Sequence, residues 1–448
     1  MTELSKKSTV AIVGGGVLGM YLAWRLAERG YCTTIYESAP ATGGLASAMS
    51  IGETTWDRFY HVILMSDRHL VDMLQKLDLE SELEWGITKT GFYTDGELVS
   101  MSNALEFLKF PPLNLIDKFR LGATIFYASR IRNWQSLESV LAIDWLKKLS
   151  GRRVFEKIWL PLLKSKLGDN YEIASAAFIW AIIARMYAAR RAGLKQEMFG
   201  YVRGGYATIL EGMRRRLSEL DVTIVHDAKV DEIRSDTDKA TVLVGENESR
   251  FDHVVLTVPT DAAAGMCPEL APAEVERLNG VEYQGIICPS FLLKREISRF
   301  YVTNITDSGV PFTGVIEMTA LVDPANFDGN ALVYLPQYLT QSSTYWEKSD
   351  EEIYDDCLTG LEKMYPTFQR SDVVAMNIAR ARKVLAISTL NYSQEHRPEL
   401  ATSIPIVSLL NSAQIANGTL NVNETIGVVN ENFDALIARI EEGELSHG

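Results

Sequence analysis

A six-residue glycine loop near the start of the chain restricts the fold more than any other feature of the sequence. Gly14, Gly16 and Gly19 occupy the glycine positions of the pattern G-x-G-x-x-G. Residues 9–13 before the loop are β-branched and apolar, as in a buried parallel strand, and residues 17–29 after it repeat apolar positions with helical spacing. Strand, loop and helix in this order predict a Rossmann-type dinucleotide site.

Each part of the loop has its own physical role in such a site. Gly14 permits the tight turn, Gly16 lets the backbone approach a pyrophosphate, and Gly19 lets the helix and strand pack closely. The helix begins at Val17 and Leu18, where free N–H groups and a partial positive charge face the phosphates. The loop therefore predicts a phosphate cradle.

An acidic residue after the second predicted strand indicates which dinucleotide is bound. Glu37 follows the strand predicted at residues 33–36 and lies 18 residues after Gly19. A carboxylate there accepts hydrogen bonds from both ribose hydroxyls of an adenosine and repels a 2′-phosphate, which disfavours NADP. Together with Glu37, the glycine pair Gly43 and Gly44 favours FAD over NAD.

Length and composition indicate a two-domain globular protein. A chain of 448 residues exceeds one compact core, and a long helical block at 103–191 and a strand-rich region at 283–340 interrupt the Rossmann alternation. We predict an α/β fold in which a Rossmann-type FAD-binding domain is interleaved with an α+β substrate domain, a mixed sheet plus the helical block. The predicted FAD-binding domain comprises residues 1–80, 198–265 and 375–448, and the substrate-binding domain comprises residues 81–197 and 266–374.

Charge and cysteine content limit the partners of the chain. A net charge of −14 repels phosphate backbones, so no nucleic-acid partner is expected. The four cysteines form no Cys-x-x-Cys pair, which argues against a metal site and a redox dithiol, and predicts buried thiols in a reducing cytoplasm.

No apolar run is long enough to predict a transmembrane segment. Residues 10–24 are interrupted by the triple glycine at 14–16 and residues 176–184 are too few, since a bilayer needs about 20. We expect a cytoplasmic monomer or homodimer whose partner is a small-molecule substrate, and the sequence leaves a peripheral membrane contact open.

Residues 10–47 resemble the FAD signature of the flavin-containing amine oxidase superfamily, which includes protoporphyrinogen oxidases, phytoene and other carotenoid desaturases and, more distantly, UDP-galactopyranose mutases. The family often has Arg after the glycine pair, whereas this chain has Leu45, as in the oxidase and desaturase branches. Further segments resemble the family at 57–61, 161–168, 200–205, 230–233 and 406–426. The resemblance covers nearly the whole chain and implies the fold and FAD, but not the substrate.

The resemblance implies where a flavin is held. Tyr60 and His61 fall in a segment near the isoalloxazine ring, Val230 on a strand at the adenine, and Asn411 in the last flavin-binding segment, where many members have Gly-Asp or Gly-Glu. With the loop, the predicted cofactor-binding residues are Gly14, Gly16, Val17, Leu18, Gly19, Glu37, Ser38, Gly43, Gly44, Leu45, Ala46, Tyr60, His61, Val230, Asn411, Asn423, Glu424 and Thr425.

Three residues are the candidates for catalysis. His61 is a general acid or base near the flavin, or a hydrogen-bonded core histidine. Arg58 binds an anionic substrate or the flavin, or forms a surface ion pair with Asp57 or a helix end. Lys166 contacts substrate or flavin, although most lysines are solvated.

The predicted activity is a two-electron oxidation in which hydride passes from an unidentified small molecule to flavin N5, and a second acceptor reoxidises the flavin. One alternative is a flavin-dependent sugar-nucleotide mutase, in which reduced FAD acts without net oxidation. Another is a flavoprotein without catalysis.

Overall fold

The computed structural model describes residues 8–102, 104–191, 198–236, 238–416 and 419–445. The strands are β1 (Thr9–Val13), β2 (Cys32–Tyr36), β3 (Ala48–Ile51), β4 (Thr54–Asp57), β5 (Leu83–Ile87), β6 (Thr90–Thr94), β7 (Glu97–Ser100), β8 (Met198–Val202), β9 (Thr223–Val225), β10 (Glu232–Ser235), β11 (Ala240–Val244), β12 (Asn247–Phe251), β13 (His253–Leu256), β14 (Tyr283–Leu293), β15 (Val302–Ile305), β16 (Gly314–Glu317), β17 (Ala331–Tyr334), β18 (Gln337–Leu339), β19 (Val373–Ala386) and β20 (Val407–Leu409). The helices are α1 (Val17–Glu28), α2 (Arg68–Lys76), α3 (Ala104–Lys109), α4 (Leu115–Ala128), α5 (Ala142–Ser150), α6 (Arg152–Val154), α7 (Leu160–Leu167), α8 (Ala176–Arg191), α9 (Tyr206–Glu219), α10 (Thr260–Met266), α11 (Pro272–Asn279), α12 (Asp350–Met364), α13 (Tyr392–Glu395) and α14 (Val422–Leu445).

A five-stranded parallel sheet carries the glycine loop. Its order is β20-β13-β1-β2-β9, with Val10 opposite Thr33 on one side and His253 on the other. Helices α1, α9 and α14 pack together on one face, and the three-stranded sheet β10-β11-β12 and α10 share a core with the other. Because other elements cover both faces of this sheet, β1 is apolar at nearly every position.

A second, mostly antiparallel sheet lies further along the chain. Its strands run β18-β14-β17-β16-β15-β6-β7, and β19 pairs along the other edge of β14. Helix α12 closes one face with an apolar core. Helices α4 to α8 form their own apolar cluster, so the chain contains the mixed sheet and the helical block that the sequence predicts.

Elements with a strong local pattern have the bounds that the sequence predicts. Strand β1 matches the predicted residues 9–13. The sequence also predicts a helix at 350–364 and a hairpin turn at Asp95-Gly96, and α12 and the turn between β6 and β7 match both. Apolar spacing also predicts a helix at 66–80, which is wrong in length, because α2 ends at Lys76 and Asp78 has a φ of +58°.

Two further expectations are corrected. Val230 is buried but precedes β10, which begins at Glu232, so it is not itself on a strand. Cys32 is exposed at the start of β2, whereas the other cysteines, Cys267, Cys288 and Cys357, are buried.

Two strand pairings bear on the predicted domain division, which stays a prediction. Strand β8 pairs with β5, and β19 runs antiparallel to β14 within the second sheet, so pairings cross the predicted boundaries near residues 81 and 375. None of the described helices combines the length and apolarity needed to cross a lipid bilayer.

Candidate functional site

The candidate cofactor site lies at the carboxyl edge of the parallel sheet. The loops after β1, β2, β13 and β20 all leave the sheet at this edge, since the strands are parallel. The Gly14 N–H donates to Tyr36 O (2.9 Å), and the Thr257 hydroxyl donates to Val13 O (2.9 Å) and Gly14 O (3.0 Å). The glycine loop is thus held from both neighbouring strands, where open α/β sheets bind their ligands.

The three glycines fit a pyrophosphate cradle. Gly14 has a φ of +114°, in the region that favours glycine. A Cβ on Gly16 would meet no atom within 4 Å, whereas one on Gly19 would lie 2.0 Å from Gly14 O. Val17 and Leu18 open α1, so their N–H groups lack intrahelical partners. The loop and helix thus pack closely at Gly19, while the space beside Gly16 is open to an approaching phosphate.

Glu37 lies beside the glycine loop. Its Oε2 accepts from Gly15 N–H and its Oε1 from Ala39 N–H, both at 2.7 Å. The exposed Ser38 hydroxyl donates to the same carboxylate (3.3 Å). Ala228 N–H donates to Glu37 O, which brings the segment that contains Val230 alongside. A partly exposed carboxylate here is placed for a ribose at the adenosine end of a dinucleotide.

The second glycine pair packs against the first loop. Gly43 and Gly44 have φ of +134° and +56°, and Gly43 N–H donates to Gly15 O (2.8 Å). Ala46 is buried in the following turn, and Leu45 packs against the aromatic core. The pair thus carries the chain from the glycine loop toward the aromatic residues.

Two buried polar atoms near this path have no hydrogen-bond partner within the described part of the chain. They are Thr42 Oγ1 and His61 Nδ1. Buried polar groups are normally satisfied, and those that are not call for an explanation such as a ligand. Their positions beside the glycine pair and in the aromatic segment fit an elongated polar cofactor.

The C-terminal candidates form bonds within the protein. Asn411 Oδ1 accepts from Ala413 N–H (3.0 Å) and its Nδ2 donates to Val258 O (2.7 Å). Asn423 Oδ1 accepts from Leu70 N–H (3.2 Å) and its Nδ2 donates to Glu424 (3.2 Å), and Thr425 donates to Asn421 O. These side chains fix the last strand and the start of α14, so any flavin contact there falls chiefly to backbone groups.

His61 lies in a small cavity lined by Trp56, Asp57, Tyr201, Tyr206, Met318 and neighbouring backbone. Its Nδ1 is 3.7 Å from Asp57 Oδ2, and its ring lies 4.6 Å from that of Tyr206, centroid to centroid. Asp57 is buried and accepts from Tyr206 N–H (2.8 Å). The aspartate thus holds the start of α9, and the His61 ring is oriented between it and Tyr206.

A chain of hydrogen bonds joins Lys166 to Tyr60. The Lys166 ammonium donates to Tyr338 Oη (2.9 Å), and the hydroxyls of Tyr338 and Tyr60 lie 2.8 Å apart. Burial raises the pKa of Tyr338 to about 12 and raises that of Tyr60 as well. Both hydroxyls therefore stay protonated at neutral pH, and Lys166 is not a solvated lysine.

Arg58 forms no ion pair with Asp57 in the structure. Its guanidinium lies 3.4 Å from the Ser47 hydroxyl and 5.6 Å from the centre of the Phe59 ring. It is half-buried between the glycine-pair segment and the aromatic residues. The structure thus brings Arg58, Tyr60 and His61 together on one segment, with Lys166 reaching the same segment through Tyr338.

Sequence reasoning did not single out Tyr338 or Tyr206. Tyr338 lies on the short strand β18 and meets Tyr60 across 278 positions of sequence, which no local pattern reveals. Tyr206 opens α9 directly after Gly204 and Gly205. The sequence signal for it is this glycine pair, which predicts the start of a helix at the next residue.

The comparisons with known proteins agree on a family and a fold. The model of the flavin containing amine oxidoreductase family matches residues 19–396. Carotenoid phi-ring synthase of Streptomyces griseus is 38% identical over 74 residues, which are 15% of this chain and 14% of that protein. That match is short, whereas the family model spans most of the chain.

Solved structures share the architecture at low sequence identity. A proposed protoporphyrinogen oxidase from Exiguobacterium sp. 255-15 is 16% identical with a TM-score of 0.77, covering 97% of this chain and 99% of that one. Putrescine oxidase bound to putrescine is 16% identical with a TM-score of 0.75, covering 97% and 99%. Reduced UDP-galactopyranose mutase is 16% identical with a TM-score of 0.73, covering 98% of each chain. These likenesses show the fold.

Proposed function

The chain belongs to the flavin-containing amine oxidoreductase family, and on that premise we propose that it binds FAD and oxidises a small organic molecule by two electrons. The observation that carries the proposal is the glycine loop at the carboxyl edge of the parallel sheet. Gly16 faces open space at the start of α1, and the Glu37 carboxylate lies beside it. This arrangement suits a pyrophosphate with an adenosine ribose attached.

A bound flavin would supply the redox chemistry, namely a hydride acceptor at N5 and electron transfer to a second acceptor. The residues of this chain supply binding, orientation and a site sheltered from water. The loop residues from Gly14 to Gly19 bind the pyrophosphate and Glu37 the ribose. The segment from Arg58 to His61 lies where the aromatic core begins, and is proposed to line the reacting end of the cofactor.

Lys166 and the two tyrosines are proposed to hold and orient the substrate. The ammonium donates to Tyr338, which leaves the Tyr338 and Tyr60 hydroxyls paired and protonated. Such a chain can donate a hydrogen bond to a substrate heteroatom and so hold it in a fixed orientation. His61, with a buried Nδ1 near Asp57, is proposed as a second polar contact at the same end.

The first experiment asks whether the protein carries FAD and uses it. Purified protein should be yellow and release FAD on denaturation. Anaerobic addition of candidate substrates, such as putrescine, other primary amines and protoporphyrinogen, should bleach the flavin with one of them, and air or a quinone should restore the colour. A colourless protein that takes up no FAD would refute the proposal. Activity that requires pre-reduced flavin and consumes no acceptor would instead indicate a mutase.

A substitution tests the assignment of the adenosine end. Glu37→Arg removes the acceptor and should weaken FAD binding at least about tenfold, since charge-assisted hydrogen bonds are lost. Glu246→Arg, an equal charge change on an exposed turn, is the matched control. Binding can be followed by flavin retained after gel filtration. Equal retention by the two variants would show that Glu37 is misassigned.

A further inference from the structure

Helix α4 exposes large apolar side chains on its outer face. Leu115, Phe119 and Phe126 are 75%, 77% and 52% exposed. The opposite face is buried, and Leu121 and Ala128 pack there against the helical block. The apolar residues on the outer face are therefore additional to those that the fold buries, and such a face is expected where something other than water covers it.

The exposed residues form one continuous surface rather than isolated side chains. At the helical angle of about 100° per residue, Leu115, Ile116, Phe119, Phe126 and Tyr127 project from the same half of α4. Five of the twelve exposed large apolar residues in the described chain lie on this one helix. Exposed apolar residues are ordinarily scattered, so a concentration of this kind marks an interaction surface. We call these five residues the α4 face.

The α4 face lies in a basic part of an acidic chain. Residues 104–157 contain ten Lys and Arg against five Asp and Glu, a net charge of +5, whereas the whole chain carries −14. The remainder of the molecule is therefore more acidic than the total suggests. The region that contains the α4 face is thus locally positive.

Several of these cations are exposed and available. Lys109, Arg120, Arg130 and Arg132 are exposed, and the ion pairs found among the described residues include none of them. The Arg130 guanidinium lies 4.7 Å from the centre of the Phe126 ring. A cation at the border of an apolar face can place its stem on the apolar surface and its charge beyond it.

We propose that the α4 face inserts into the surface of an anionic lipid membrane, with the flanking lysines and arginines on lipid phosphates. An apolar face bordered by cations is the chemistry of a helix lying in the plane of a membrane interface. Tyr127 suits the same boundary, because its ring is apolar and its hydroxyl polar. This inference is independent of which substrate the flavin site takes.

A second copy of the chain fits the same surface less well. In a two-fold symmetric dimer each face meets its own equivalent, so the basic regions around the two faces would be brought together and repel. An anionic membrane offers an apolar interior and opposite charge at once. Charge complementarity therefore favours lipid as the occupant.

Vesicle co-sedimentation of the full chain tests the proposal. We expect binding to phosphatidylcholine vesicles that contain about one third phosphatidylserine, much weaker binding to pure phosphatidylcholine, and release as salt is raised, since surface charge is screened. Leu115→Glu with Phe119→Glu should lower the bound fraction about tenfold or more. Ile87→Glu with Val374→Glu replaces two exposed apolar residues elsewhere and should bind as the unaltered chain does.

Circular dichroism and gel filtration of each variant complete the test. The α4 variant should remain folded, because both replaced side chains project into solvent. Absence of binding to the anionic vesicles, or unchanged binding by the α4 variant, would overturn the proposal. So would a dimer of the unaltered chain that binds no vesicles and that the α4 variant dissociates, since the occupant would then be a second copy.

Discussion

At the scale of single residues, burial rather than sequence neighbours sets the chemistry of the candidate site. Lys166 is one of two lysines near the end of α7, and only its ammonium reaches Tyr338. Lys164, two positions earlier, is exposed and lies 5.3 Å from the ring centre of Tyr171. The two lysines therefore form a matched pair for mutation.

Lys166→Met should lower the rate of flavin reduction by any substrate that bleaches the protein, by about tenfold to a hundredfold. The reason is that the substitution removes the cation from the Tyr338–Tyr60 chain while keeping the length of the side chain. Stopped-flow absorbance of the flavin measures the rate. Lys164→Met should leave it unchanged, and an equal loss in both variants would remove Lys166 from the site.

Glu317 provides a pH-dependent prediction at the same scale. Burial raises its pKa to about 8, and Thr319 and Ile297 donate hydrogen bonds to its carboxyl group. Below the ordinary pKa of 4.5 both folded and unfolded states hold the proton. Above it the unfolded carboxyl ionises while the folded one does not until about pH 8, so this group makes stability fall across that window.

Glu317→Gln should therefore flatten the pH dependence of stability between about pH 5 and pH 8. The amide keeps the size of the side chain and cannot ionise. Thermal unfolding at several pH values, compared with the exposed control Glu246→Gln, measures the effect. A decline with pH as steep as in the unaltered chain would show that Glu317 ionises freely.

At the scale of elements, the contact between the glycine loop and α1 is set by one missing side chain. A Cβ on Gly19 would lie 2.0 Å from Gly14 O, a backbone atom that cannot move aside cheaply. Gly265, within α10, has no atom within 4 Å of the same position. Both glycines lie in helices. An alanine at either position therefore changes helix propensity alike, and a difference between the two variants reports the crowding at Gly19.

Gly19→Ala should destabilise the protein by about 2 kcal/mol or more, the usual cost of forcing a group into a packed site. FAD binding should weaken with it, because the loop must shift. Gly265→Ala should be neutral or raise stability by up to about 1 kcal/mol. Chemical unfolding of both variants checks this, and equal stability would mean that loop and helix adapt without strain.

Prediction from sequence succeeded where the determinants are local. Strand β1, the start of α1 and the whole of α12 are specified by nearby apolar spacing and caps, such as Ser349 and Glu352 around the start of α12. The Tyr60–Tyr338 and Lys166–Tyr338 contacts join residues 278 and 172 positions apart. Only the packing of β18 against α7 and against the segment of Tyr60 creates them, so the sequence predicted Lys166 through a family resemblance and did not predict its partner.

At the scale of the whole molecule, a buried ion pair ties the helical block to the glycine-loop region. Arg185 of α8 lies 3.0 Å from Asp67, just before α2, and donates to Thr419, shortly before α14. Burial raises the pKa of Asp67, and the nearby Arg185 opposes that rise. The arginine thus joins three parts of the chain that are distant in sequence.

Arg185→Ala should lower the free energy of unfolding by about 3 kcal/mol, because it leaves the buried Asp67 without its partner. The loss should be smaller at low pH, where Asp67 is protonated. Arg203→Ala breaks an exposed pair with Glu84 and should change stability little. Denaturant unfolding at two pH values distinguishes the variants, and equal losses would show that the buried pair contributes nothing special.

The strand order of the parallel sheet also governs when this sheet can be completed during synthesis of the chain. Strand β1 gains its neighbour β13 only after residue 253 is made, and β13 gains β20 only after residue 407. Until then the nascent chain displays unpaired sheet edges, which invite pairing with other chains. Completion of this sheet is consequently a late event in synthesis, and conditions that slow it should favour aggregation of the newly made chain.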